Sequence, residues 1–135
     1  MANELAISVT GLKKTYTSKA NGSKDAVAGI DLEVARGEIF AILGPNGAGK
    51  TTTLKAISNL LNSERGEVTK GFVSYRGAEI HGADPADMVK RGVIQVMEGR
   101  HCFEHLTVEE NLLTGAYTRS DSKADIQADL DMVYT

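Results

Sequence analysis

Residues 44–51 read Gly44-Pro45-Asn46-Gly47-Ala48-Gly49-Lys50-Thr51. The apolar run Ile39-Phe40-Ala41-Ile42-Leu43 stands before it, and Thr52 opens a helical pattern after it. A strand that launches a glycine-rich turn, with a helix N-terminus beyond it, is the context a phosphate-binding loop requires. Gly44, Gly47 and Gly49 let the backbone curl so that successive N–H groups point at phosphate oxygens. Lys50 offers a point charge to the β- and γ-phosphates, and the Thr51 hydroxyl is a ligand for Mg²⁺. The spacing predicts a site for a nucleoside triphosphate.

The strands upstream differ in kind. Leu5, Ile7 and Val9 alternate with polar or small residues, as do Ile30, Leu32 and Val34, giving two strands with one buried face each. Asn21-Gly22 marks a turn between them, and Gly37 ends the second. Residues 39–43 are apolar throughout, which suits a parallel strand covered on both faces. The fold class expected is α/β: a P-loop core with a partial parallel sheet and helices, plus an N-terminal antiparallel β subdomain.

Downstream, Leu54, Ile57, Leu60 and Leu61 predict the buried stripe of a helix ending near Asn62-Ser63. Residues 66–77 read as turn and strand. Asp84 and Pro85 read as N-cap and first helical residue, with Gly92 as the stop. Residues 93–96 predict a strand. Thr107 and Glu110 form a capping-box pattern for a helix reaching about Ala116, and Ile126, Leu130 and Val133 mark a last helix from near Ser122. That helix lacks a stop signal before Thr135, which reads as a chain cut inside an element.

The 135 residues suffice for one modest domain. A formal net charge of −3 with no basic run argues against a nucleic-acid surface. The N-terminus carries no signal-peptide pattern, and no apolar run is long enough to span a bilayer. A cytoplasmic protein is expected. Cys102 is the single cysteine, so no intrachain disulfide can form, and it is expected to be buried filler. His81, His101 and His105 have no metal-ligand spacing, and no metal other than Mg²⁺ is expected.

Three stretches together resemble the nucleotide-binding subunit of an ATP-binding-cassette transporter. They are residues 44–52, the run-up Leu12-Lys13-Lys14-Thr15-Tyr16 with Ile30-Asp31-Leu32 and Arg36-Gly37-Glu38, and residues 96–103 followed by 106–112. The resemblance spans nearly the whole chain but only the first half of a cassette. It implies that ATP is held by Gly44, Pro45, Asn46, Gly47, Ala48, Gly49, Lys50, Thr51 and Thr52, with Tyr16 stacked on adenine. The alternative for Tyr16 is ordinary packing at a strand end. Glu98, not Gln95, matches the loop that senses the γ-phosphate and meets the membrane subunits. Glu98 would bind Mg²⁺ through water or anchor that contact, the alternative being a solvated carboxylate. Arg100 reads equally as a permease contact or a solvated side chain. Glu98-Gly99-Arg100 resembles the subgroup that energises branched-chain amino-acid import and its amide relatives, although Met97 stands where that subgroup usually has proline.

Neither the family's Leu-Ser-Gly-Gly-Gln signature nor an apolar strand ending in Asp-Glu occurs in residues 1–135, and no histidine matches the switch position. Residues 1–135 are thus expected to be the N-terminal part of one ATP-binding domain, without a catalytic residue and without turnover of their own. The partners implied are transmembrane permease subunits and a second ATP-binding subunit, on the cytoplasmic face of the membrane. The other readings are a catalytically incompetent binding or assembly module, an exporter ATPase, and another P-loop enzyme such as a small kinase or GTPase. Against the last, the antiparallel strands and Tyr16 precede the loop, and no guanine-reading Asn-Lys-x-Asp occurs.

Overall fold

A computed structural model of the chain describes residues 4–18, 22–61, 68–99 and 101–135. Two long strands lead, β1 (Leu5–Ser18) and β2 (Gly22–Ala35). The helix α1 (Lys50–Ile57) follows, then β3 (Lys70–Tyr75), β4 (Ala78–Glu79), α2 (Pro85–Lys90), α3 (Val108–Thr114) and α4 (Lys123–Tyr134). The sheet runs β2-β1-β3-β4, and every pairing between neighbours in it is antiparallel. The chain divides into two compact units, Met1–Gln95 and Val96–Thr135.

The strand pattern is not a plain alternation. On β1 the buried side chains are Val9, then Leu12 and Lys14, a slip of one residue. The register shifts between Val9 and Leu12, where Gly11 takes φ +56°. A bulge there rotates the strand so that positions 12, 14 and 16 share a face. Gly71 of β3 sits close against this bulge: a Cβ on it would lie 2.4 Å from both the Thr10 and Gly11 carbonyl oxygens. Beyond β2, Arg36 and Gly37 turn the chain as the glycine predicts.

The core of the first unit joins Val9, Leu12, Val27 and Val73 of the sheet to Ala56, Leu61, Ile80 and Met88. Burying Met88 depends on α2, whose N-cap Asp84 accepts a 2.7 Å hydrogen bond from the Ala86 amide. Asn59, at φ +60°, donates through Nδ2 to the carbonyls of Ile80 and Ala83, tying the chain after α1 to the approach to α2. In the second unit α3 and α4 each begin with a capping box, Thr107 with Glu110 and Ser122 with Asp125.

Several expectations need correction. Residues 39–43 form no strand, and Ile39 and Leu43 are 98% and 91% exposed. A strand apolar on both faces needs parallel neighbours, and none pairs with it among the described residues. Residues 93–96 likewise form no strand, with Ile94 and Val96 exposed. On α1 the buried positions are Thr53 and Ala56 rather than Leu54, which is exposed. Ala56 joins the core that includes Val27 of β2. Cys102 is exposed, not buried. On α4, Leu130 is buried and Val133 exposed. Asn21, Asn62, Ser63, Gly66 and Arg100 lie outside the described residues.

Candidate functional site

The loop between residues 44 and 49 is exposed and ends at Gly49, the N-cap of α1. Gly47 and Gly49 have φ of +85° and +82°, so two left-handed residues alternate with ordinary ones through the curl. Such alternation turns neighbouring amides to the same side. The Ala48 amide donates to the Pro45 carbonyl at 3.2 Å, which closes the loop as a turn. Gly49, the N-cap, has no side chain with which to cap the start of α1. The amides of its first turn have no intrahelical acceptor by geometry, so an anion is their natural partner.

Lys50 is folded back over this loop. Its ammonium donates to the Gly44 carbonyl at 2.6 Å and to the Pro45 carbonyl at 2.8 Å. The charge is thereby fixed above the curl rather than free in solvent. Thr51 is exposed at the helix start, whereas the Thr53 hydroxyl turns inward to the Gly49 carbonyl at 2.9 Å. The residues present therefore fit a phosphate chain: an uncapped helix start, left-handed glycines and a cation held over them.

The loop is braced from behind by β2. A Cβ on Gly49 would lie 2.3 Å from the Ala26 carbonyl oxygen and 3.1 Å from Val27 Cγ2. Ala26 is itself irregular, because Lys14 pairs with Val27 and Thr15 with Asp25, leaving Ala26 unopposed. This bulge carries a network: Asp25 accepts from the Thr15 hydroxyl at 2.7 Å and from Lys13 Nζ at 2.9 Å. Those two bonds hold its carboxyl below the usual aspartate range.

Tyr16 lies at the far end of the same strand pair, opposite Lys24, and is 40% exposed. The structure thus gathers the loop residues and Tyr16 into one unit. Glu98 belongs to the other unit, is exposed, and lends its backbone carbonyl to His101 Nε2 at 2.7 Å. Among the described residues no group of three His, Cys, Asp or Glu side chains is placed to hold a metal ion. No helix among the described residues is long and apolar enough to cross a membrane.

The loop itself was readable from its motif, but Lys14 and the Ala26 bulge were not assigned a role. The signal for Lys14 was its spacing, since residues two apart on a strand share a face. The bulge depends on register and has no local signature.

Residues 27–134 match the family model for the ABC transporter. The chain is 37% identical over 122 residues to a spermidine/putrescine import ATP-binding protein of Thermobifida fusca, covering 90% of this chain and 29% of that protein. It is 34% identical over 112 residues to a high-affinity branched-chain amino acid transport ATP-binding protein of Pseudomonas aeruginosa, covering 83% and 45%. The chain therefore spans less than half the length of these curated relatives. Among solved structures, a dimeric post-hydrolysis ATP-binding cassette with ADP and Pi superimposes with a TM-score of 0.69 at 23% identity, over 90% of this chain and 53% of that one. The fold is that of an ABC ATPase cassette, and the chain belongs to the ABC transporter family.

Proposed function

We propose that residues 1–135 are the N-terminal part of the ATP-binding subunit of an ABC importer, and that they carry its grip on the nucleotide. The observation that supports this most directly is the braced loop at the start of α1. The amides and side chains of residues 44–52 would hold the phosphates of ATP, and Tyr16 would receive the adenine. Lys50 would exchange two carbonyl acceptors for phosphate oxygens, so that its ammonium bonds charged oxygens in place of neutral ones. Thr51 would ligate Mg²⁺, and Glu98 would bind Mg²⁺ through water or anchor the contact with the membrane subunits. Bound there, Mg²⁺ supplies neutralisation of the phosphate charge.

The finer reading of the solute is branched-chain amino acids or related amides. Glu98-Gly99-Arg100 and the Pseudomonas relative favour it, whereas the Thermobifida relative is named for polyamines. Function in the whole protein would need a second ATP-binding subunit and permease subunits, with the assembly lying on the cytoplasmic face of the membrane. Closure of the two ATP-binding subunits around ATP would drive the permease between its states.

Isothermal titration of the chain with Mg-ATP tests the grip. Lys50→Ala is expected to abolish measurable binding, and Tyr16→Ala to weaken it by about 1–2 kcal/mol, the size of a stacking contribution. Equal curves for the wild type and Lys50→Ala would sink the assignment. Turnover is a separate matter, because phosphoryl transfer needs an aligned water as well as held phosphates. We expect no steady phosphate release from residues 1–135. Release that vanishes in Lys50→Ala would place catalytic groups within this chain.

A further inference from the structure

Lysine is almost never fully buried without a partner, and only 6% of the Lys14 surface reaches solvent. Its Nζ stands 4.8 Å from the centroid of the Tyr16 ring. Two residues apart on β1, Lys14 and Tyr16 lie on one face of the strand, so the pair is a consequence of strand geometry. An ammonium over an aromatic face is attracted by the ring's quadrupole, and a strand-borne pair of this kind holds the ring in one orientation. We infer that Lys14 is a positioning residue for nucleotide binding: it holds Tyr16 by one face and leaves the other to receive the base. This rests on the reading of Tyr16 as the adenine platform.

The same residue is linked to the phosphate end. Lys14 pairs with Val27, and Val27 Cγ2 lies 3.1 Å from where a Cβ on Gly49 would stand. Base platform and phosphate loop are therefore braced by one short piece of β2. A ring free to rotate would lose that fixed relation, and only ligands with a base would register the loss. Inorganic tripolyphosphate, which has no base, isolates the phosphate end.

The test is titration of ATP and of inorganic tripolyphosphate against the wild type, Lys14→Met, Lys14→Arg, Tyr16→Ala and the Lys14→Met/Tyr16→Ala double variant. Lys14→Met is expected to weaken ATP by about 3- to 5-fold, the worth of a modest cation–π contact. Tripolyphosphate affinity should not change, Lys14→Arg should restore ATP binding, and the double variant should bind ATP as Tyr16→Ala does. Equal losses for both ligands, or no loss for ATP while Tyr16→Ala does weaken it, would overturn the role of Lys14. Unchanged ATP affinity in Tyr16→Ala would instead overturn the platform reading on which it rests. If Lys14→Met lacks the wild-type far-UV circular dichroism, Lys14→Gln serves with the same readouts.

Discussion

An added methyl group separates two glycines that the motif treats alike. Gly47 and Gly49 both have positive φ, but among the described residues a Cβ on Gly47 meets nothing within 4 Å, whereas one on Gly49 would meet the Ala26 carbonyl oxygen at 2.3 Å. Alanine at Gly47 bears only the left-handed backbone penalty, about 1–2 kcal/mol. At Gly49 the same penalty is joined by a clash with backbone, which cannot be relieved by rotating a side chain. Gly49→Ala should therefore destabilise the first unit by more than about 2 kcal/mol, with β2 moving away from the loop. Urea unfolding followed by circular dichroism checks this, and matching midpoints for the two variants would show that β2 does not brace the loop. Sequence reading identified both glycines from the motif but not this difference, because Ala26 is brought to Gly49 by a register shift that no local pattern announces.

At the scale of elements, the most legible features were the ones decided by a few adjacent residues. Thr107 Oγ1 accepts from the Glu110 amide at 3.2 Å, and the Glu110 carboxylate accepts from the Thr107 amide at 2.8 Å, as the capping pattern predicted. Ser122 and Asp125 repeat the device, with the Asp125 carboxylate accepting from the Ser122 hydroxyl at 2.6 Å. Thr107→Ala should cost about 1 kcal/mol of helix stability. The cap amide and hydroxyl of Thr107 hold Glu110 below the ordinary glutamate range, and the hydroxyl and amide of Ser122 do the same for Asp125. With folded values below unfolded ones, both carboxylates stabilise fully above the unfolded values. That stability is lost as pH falls through the folded values. Helical signal from the second unit should hold steady down to about pH 5 and decline below about pH 4. Acid titration of Glu110→Gln/Asp125→Asn checks it: an undiminished acid transition would exclude the boxes as its cause. Less legible was the hairpin of β3 and β4, turned by Arg76 and Gly77 at φ +49° and +78°. Two left-handed residues in succession suit a tight hairpin turn, but arginine is not its usual first residue. Residues 39–43 and 93–96 were read as strands because apolar runs favour them, yet a strand exists only where another pairs with it.

Across the whole molecule, the fold class and the glycine-rich curl before α1 followed from the sequence, while the state of the apolar runs did not. Exposure of Ile39, Leu43, Ile94 and Val96 leaves strand-forming side chains in water. Exposed apolar segments of high β-propensity promote association, through side chains and through unpaired backbone groups alike. Their burial contributes nothing to the core that joins Leu12 to Met88, so association and stability should respond to different substitutions. Ile39→Thr/Leu43→Thr is expected to reduce concentration-dependent self-association while moving the unfolding midpoint little, since surface changes stay within about 0.5 kcal/mol. Leu12→Ala, at a fully buried position, is expected to cost about 2–5 kcal/mol. Sedimentation velocity over a range of protein concentrations, beside urea unfolding of the same samples, separates the two. A wild-type chain that sediments as one monomeric species at every concentration would show that residues 39–43 are covered in solution. A large fall in stability for the double threonine variant would show that they pack within the chain.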